Sequence, residues 1–427
     1  MKKLALPISI IMSLFFNGCL KDTCESSNTF TQWTPVYKSD AEMRQAPQYQ
    51  AARQLKKPGK IYFYDKYIFI NEQKEGVHII DNSNVSSPQN IGFLTIPGNV
   101  DMAIKGDVLY ADSYMDLLAI NIDNVTQPRL TQRTQDVFEN VFWRDPQRGW
   151  LVDYVPEKVT QKIDCNDPRL SSGGGWFLQR DVVFSASDKA FPTSATNSAG
   201  ARPAGVGGSM ARFTLYTDYL YTISLNQVKI YNIKQLDKPN LANSMNVAWN
   251  IETLFPHKDK LFIGSTTGMY IYDLVNPTSP VQLSIFTHGR ACDPVFADDN
   301  RAYVTLRNGT PCNNAVNQLL IVDITNLRSP QLLKSYEMKN PRGLSVLDNT
   351  LYLCDDGFKI FDVTNWENVD KNQKSHLTNF DTYDVISYQD TKQKVAMVIG
   401  KDGFYQYDVT NPEKPKELSK IPVAVTQ

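Results

Sequence analysis

The chain has 427 residues, of which 42% are hydrophobic and 11% aromatic, and 44 Lys and Arg stand against 45 Asp and Glu for a formal net charge of -1. That length exceeds one compact core and points to several domains or a repeat array, with enough apolar material for a globular body rather than a disordered one. The near-neutral balance is too poor in positive charge for a nucleic-acid surface.

At the N-terminus, "MKKLALPISIIMSLFFNGC" places Lys2 and Lys3 before a largely apolar run, with small Gly18 just ahead of Cys19. This is the pattern of a secretory signal peptide, residues 1–18, too short to cross a bilayer as a helix. A cysteine directly after the cleavage point resembles the bacterial lipobox, although Phe16 and Asn17 stand where Leu and a small residue are commoner. The resemblance implies lipid on Cys19 and a chain anchored at the outer membrane or cell surface; an ordinary signal peptide cut later is the alternative. Several acyl chains on one cysteine hold far more firmly than a single chain.

Residues 19–57 form a polar tether and then "TQWTPVYKSDAEMRQAPQYQAARQL". Ser39 with Glu42 is a capping-box pair, which predicts a short helix from Asp40, ended or bent near Pro47. Residues 33–37 read as a strand docking on the body that follows; a loose spacer is the alternative.

From residue 58 the chain repeats itself. "IYDLVNPTSPVQL" at 271–283 returns as "QYDVTNPEKPKEL" at 406–418. The polar residue that ends each such strand gives seven anchors: Asp81, Asn121, Asn232, Asp273, Asp323, Asp362 and Asp408. All but Asp362 meet a proline seven residues on, and Asp362 meets Val369. Asp164, in "QKIDCNDP", supplies a degenerate eighth anchor inside the long interval between Asn121 and Asn232.

Each unit reads as four short strands: an inner one such as "NVDMAIKG", a second such as "VLYAD", a third such as "GVHIID", and an outer one such as "VQLSIFT". Tight turns fall at Lys105-Gly106-Asp107, Asp299-Asn300 and Asp348-Asn349. Glycine five residues before the anchor, at Gly76, Gly268, Gly357 and Gly403, permits a tight start to the third strand. Four-stranded units of about 40–45 residues have the size of propeller blades, which bury their faces on one another and close a ring. The expected fold over 58–427 is an all-β, eight-bladed β-propeller, with seven blades as the alternative.

These blades resemble the LVIVD repeat family of bacterial propeller proteins, on "VHIID", "LLIVD" and "FKIFD". The resemblance implies a propeller and, through the lipidated start, a cell-envelope protein. It carries over no catalytic residue. The anchors most simply cap the turn that follows by bonding backbone N–H groups, with proline stiffening the path to the outer strand. A metal-binding ring of the same carboxylates is the sharper alternative, weakened by Asn121 and Asn232, which remove charge without breaking the unit.

An insertion, 165–210, contains "SSGGGWFLQRDVVFSASD" and a Gly, Ala and Ser run. Residues 176–184 read as an outer strand and the rest as loop, where binding function tends to sit. Gly205, Gly207 and Gly208 are not flanked as a phosphate loop requires. In an oxidising compartment Cys292 and Cys312, at the two ends of a hairpin, are the candidate disulfide, with Cys354 as an alternative partner.

Polar residues at the starts of the innermost strands converge on the channel mouth: Asp101, Arg212, Glu252, His288, Arg290, Asp293, Arg342 and Asp384. "HGRACDP", 288–294, is the densest local cluster. As a ligand site it offers Arg290 and Arg342 to an anionic or polar group, with His288 or Asp293 for proton transfer; as structure it is a salt-bridged channel lining. His78 reads as a surface residue and His257 sits beside a turn. No HExxH, CxxC or GxSxG occurs; neither a metal nor a cofactor is implied, and Asp355-Asp356-Gly357 is more simply a turn than a calcium loop. The expected function is a lipid-anchored binding or scaffold module for a protein or glycan partner, and the alternative is an enzyme acting on a polar extracytoplasmic substrate at the channel mouth.

Overall fold

The computed structural model describes residues 25–138, 142–164, 205–289, 294–308, 316–390 and 392–424. The chain divides into two compact units, one of residues 1–37 with 152–184 and one of 38–151 with 185–427.

The long strand Glu25–Lys38 pairs with Gly149–Asp164, and Trp143–Asp145 completes a three-stranded sheet with the latter. The expected strand at 33–37 is therefore present, paired with Gly149–Asp164 rather than with a blade.

The second unit opens with the helix Asp40–Met43, whose capping box forms as predicted: Glu42 N–H donates to Ser39 Oγ and Ser39 N–H to Glu42 Oε2. Arg44, one residue on, bonds Asp116 at 3.2 Å and Asp136 at 2.8 Å. Beyond it, among the described residues, stand seven sets of four consecutive antiparallel strands, blades 1 to 7, spanning 58–95, 102–134, 213–246, 251–287, 295–337, 344–377 and 382–422. Their inner strands touch in chain order, and blade 7 touches blade 1, so the sheets close a β-propeller ring. The eighth anchor does not build a blade. Asp164 ends the strand Gly149–Asp164 of the separate three-stranded sheet, and blade 2 packs directly on blade 3. Residues 165–204, with the strand expected at 176–184, lie outside the described residues.

The core lies between neighbouring blades. Phe255, Phe262, Met269 and Ile271 of blade 4 pack on Val295, Ala302, Val304 and Leu320 of blade 5, and each fully buried side chain of this size contributes about 1.5–3 kcal/mol. Closure uses the same chemistry: Ile61, Ile68, Ile70 and Ile80 of blade 1 meet Ile386, Val395, Met397 and Ile399 of blade 7. Among the described residues no strand is exchanged at the seam; a parallel bridge joins Leu55 to Val423.

All seven anchors cap as expected. Asp81, Asn121, Asn232, Asp273, Asp323, Asp362 and Asp408 each accept, through Oδ1, the N–H two residues on, at 2.8–3.2 Å. The tail then serves the ring, because its carbonyls receive side chains from the preceding blade. Tyr110 Oη donates to Leu236 O at 2.7 Å, Tyr221 Oη to Pro277 O at 2.6 Å, and Ser284 Oγ to Leu327 O at 2.6 Å. After Asp362, where proline is missing, a 3-10 segment Trp366–Asn372 makes the turn and buries Val369 in its place. Among the predicted turns, Gly106, Asp348 and Asn349 take positive φ, as do Gly76, Gly357 and Gly403.

Candidate functional site

The channel is occupied by the chain itself. Residues 205–212 return from the insertion along the inside of the ring, where Val206–Gly207 pairs antiparallel with Phe63 and Tyr62 on the inner edge of blade 1. Every backbone polar group carried into such a place needs a partner. Gly205 N–H donates to Ile104 O of blade 2 at 3.0 Å and Tyr62 Oη donates to Gly205 O at 3.1 Å. Ser209 N–H donates to Asp384 Oδ1 of blade 7 at 3.0 Å, while Ser209 Oγ accepts from Leu344 N–H of blade 6. Ala211 O accepts from Leu254 N–H of blade 4 at 3.2 Å, and Arg212 O from Ile223 N–H of blade 3 at 2.9 Å. The glycines follow from this crowding: a Cβ on Gly208 would fall 1.9 Å from the Asp384 carboxylate, and one on Gly205 2.2 Å from the Tyr62 ring. They let the backbone approach side chains.

Beneath this segment lies a buried charge cluster. Lys60 Nζ, on the inner strand Pro58–Tyr64, bonds Asp101 Oδ2 at 2.6 Å, with the two residues 4% and 2% exposed. The same Asp101 oxygen accepts the Arg212 N–H. Burial lowers the Lys60 ammonium to about 8, against the pull of Asp101. Asp112 Oδ1 accepts N–H groups of Val100 and Asp101 at 2.7 and 2.9 Å, yet burial holds its carboxyl up at about 6. Asp384 is raised furthest, to about 7, by burial that outweighs its bonds from Val385 and Ser209 and the charge of Lys60. Its Oδ2 has no hydrogen-bond partner among the described residues.

Of the residues placed at the mouth by sequence, Asp101 and Asp384 are buried and accept backbone N–H groups of the 205–212 segment, Asp101 from Arg212 and Asp384 from Ser209. Arg342 stands two residues before the inner strand Leu344–Leu347, bonds Asp381 at 3.2 Å, and lies over the Tyr383 ring. His288 is not at an innermost strand start. It follows the outer strand Val281–Thr287 of blade 4, with Nδ1 on Gly289 O at 2.7 Å, because each blade runs from inside outward. Arg290, Asp293, Cys292, Cys312 and Cys19 lie outside the described residues. Cys354 is a buried free thiol that burial pushes up well beyond its usual value, so the alternative pairing through it is not formed.

His78 is also corrected. It is 0% exposed, bonds Glu72 Oε2 at 2.9 Å and meets the Phe93 ring edge-on. Blade 1 carries an added outer strand, Gln48–Gln50, and Arg53 lies 3.5 Å over Phe93, so a face that is open in an isolated blade is covered here. Sequence reasoning missed Lys60, Asp112 and Ser209; the one signal was a lysine interrupting the apolar inner strand "GKIYFY". Among the described residues no cluster of His, Cys, Asp and Glu is arranged to hold a metal ion. A polar cleft of about 610 Å³ opens between blades 2 and 3, lined by Asp107, Asn121, Arg129, Lys234 and Asp237.

The four-stranded units arranged around a filled channel define a β-propeller. Residues 59–94 and 314–338 match the LVIVD repeat family; the chain carries LVIVD repeats. No curated protein matches it. Among solved structures, a protein of unknown function from Desulfotomaculum acetoxidans aligns at 9% identity and TM-score 0.46, over 85% of this chain and 95% of its own. A Lactobacillus plantarum protein aligns at 12% and 0.45, over 88% and 86%. Saccharomyces cerevisiae Sqt1 aligns at 11% and 0.47, over 83% and 95%.

Proposed function

We propose that this chain is a binding or scaffold module of the cell envelope, held to the membrane by lipid on Cys19, that presents its surface to a protein or glycan partner. The observation that carries this reading is the channel. Residues 205–212 fill it with bonds to six blades, and Asp101, Asp112 and Lys60 are engaged with one another and with backbone rather than aimed at open space. A catalytic pocket at the mouth requires converging polar groups that solvent and substrate can reach. The ring's exterior is what remains for recognition, and blades on a rigid scaffold present loops for it. The lipobox resemblance supports the anchor and the envelope location.

The test is capture from gently solubilised envelope with the intact protein as bait, beside a variant lacking residues 171–200, which keeps the channel segment 205–212. A partner retained by the intact protein supports the module; no partner in either sample, together with turnover of an extracytoplasmic substrate, overturns it. Cys19→Ser tests the anchor separately and is expected to move the protein from the membrane to the soluble fraction.

A further inference from the structure

We propose that the surface of blade 3 around Trp249 is a docking site for a neutral carbohydrate, with the indole as the platform on which a sugar ring stacks. This deepens the binding-module reading and rests on it. Trp249 is 75% exposed, in the link between the outer strand Asn240–Asn246 and the next inner strand Ile251–His257. Leu225, 49% exposed, sits in the turn between the second and third strands of the same blade. The two loops are joined, since Val247 N–H donates to Asn226 O at 3.0 Å. Leu225 and Asn250 take positive φ, 54 and 53°, a strained conformation for these side chains that sets the direction of both loops.

The chemistry around the indole selects the ligand. Residues 219–228, 240–251 and 261–272 contain no Asp, Glu, Lys or Arg, in a chain with 21% charged residues. Carboxamides and hydroxyls stand there instead. Gln227 Nε2 donates to Asn246 Oδ1 at 3.0 Å and Ser244 Oγ to Gln227 Oε1 at 3.3 Å, while Asn250 O accepts from Thr266 N–H at 3.2 Å. An amide both donates and accepts, which matches the hydroxyls of a sugar, whereas a carboxylate or phosphate ligand finds no Lys or Arg within these three stretches. A flat aromatic face offers contact area to the C–H face of a pyranose at little entropic cost. Trp143, 57% exposed, has Arg144 beside it, which bonds Asp40 at 2.9 Å, and lacks this neutral surround.

The experiment is binding of the full mature chain, in detergent, to immobilised neutral oligosaccharides (xylohexaose, cellohexaose, maltohexaose and mannohexaose) and to acidic hexagalacturonate. Retention on at least one neutral probe and not on the acidic one is expected, reduced tenfold or more by Trp249→Ala, largely kept by Trp249→Phe, and unchanged by Trp143→Ala. No neutral probe bound, preference for the acidic one, or indifference to Trp249→Ala overturns the site. An envelope protein whose capture is lost with Trp249→Ala assigns the surface to protein docking instead. A partner captured equally by wild type and Trp249→Ala, with a blank array, sinks the sugar site and leaves the binding module standing.

Discussion

Asn82 of blade 1 and Gln406 of blade 7 exchange two amide hydrogen bonds across the seam of the ring, Asn82 Nδ2 to Gln406 Oε1 at 3.1 Å and Gln406 Nε2 to Asn82 Oδ1 at 2.8 Å. Gln406 also donates to Val85 O, in the tail of blade 1, at 3.1 Å. Both side chains are buried, so removing one orphans the other. Gln406→Leu is expected to cost about 1–3 kcal/mol, and the double variant with Asn82→Leu less than the sum of the two singles. Urea titration of the four proteins reads the coupling; strict additivity would show that the pair does not act as a unit.

Gly208 is where the channel segment passes the Asp384 carboxylate. Gly208→Ala must displace either the strand or the acid, at an expected loss of about 1–3 kcal/mol. Asp384→Ser in the same chain should recover part of that loss by making room. A Gly208→Ala protein with an unchanged unfolding midpoint would mean that the segment does not hold this path.

Buried carboxyls set the pH response. Asp384 and Asp112, held at about 7 and 6, bind protons in the folded state that the unfolded chain has already released. The folded state is thus favoured at low pH, and this contribution is lost as pH rises from about 4 to 7, at no more than about 1.4 kcal/mol per pH unit for each proton. Lys60, lowered to about 8, acts oppositely: the unfolded chain binds the extra proton between about 8 and 10.5, so stability recovers over that range. Asp384→Asn should flatten the loss between pH 5 and 7. Denaturation across pH in both proteins checks it, and parallel profiles would refute the assignment.

Glu72 fastens the segment before blade 1, accepting the N–H groups of Lys56 and Lys57 as well as the His78 ring. Burial pushes its carboxyl up, but His78 and these backbone bonds outweigh burial and hold it below the usual range. Glu72→Ala leaves three groups without their acceptor and is expected to loosen residues 48–57 while the ring stays folded. Trypsin should then cut after Arg53 or Lys56 several-fold faster, with the circular dichroism unchanged.

The anchors separate charge from geometry. Asp273→Ala removes the acceptor for Val275 N–H and should cost about 1 kcal/mol, whereas Asp273→Asn, the residue found at positions 121 and 232, should cost little. A large loss from Asp273→Asn would mean that the carboxylate has a further duty. Thermal unfolding of the two variants distinguishes these outcomes.

Local signals carried the blades. Alternating apolar runs, the Asx turn at each anchor, the Ser39–Glu42 cap and the glycines before the third strand are properties of neighbouring residues, so they are legible in one dimension. They determined an all-β propeller of repeated four-stranded units, two segments of which match the LVIVD repeat, with a short helix before it. What encloses the ring was not legible, because it depends on contacts between residues far apart in the chain. Asp164 has an anchor's spacing, yet its strand pairs with Glu25–Lys38, so only the tertiary structure set it apart from the seven four-stranded sets among the described residues. The same holds for the site: nothing near Gly208 in sequence says that it crosses the channel, and nothing near His78 says that residues 48–57 cover it. Burial is decided by what packs on top, and that made His78 a core residue and placed the channel's charges among their own partners.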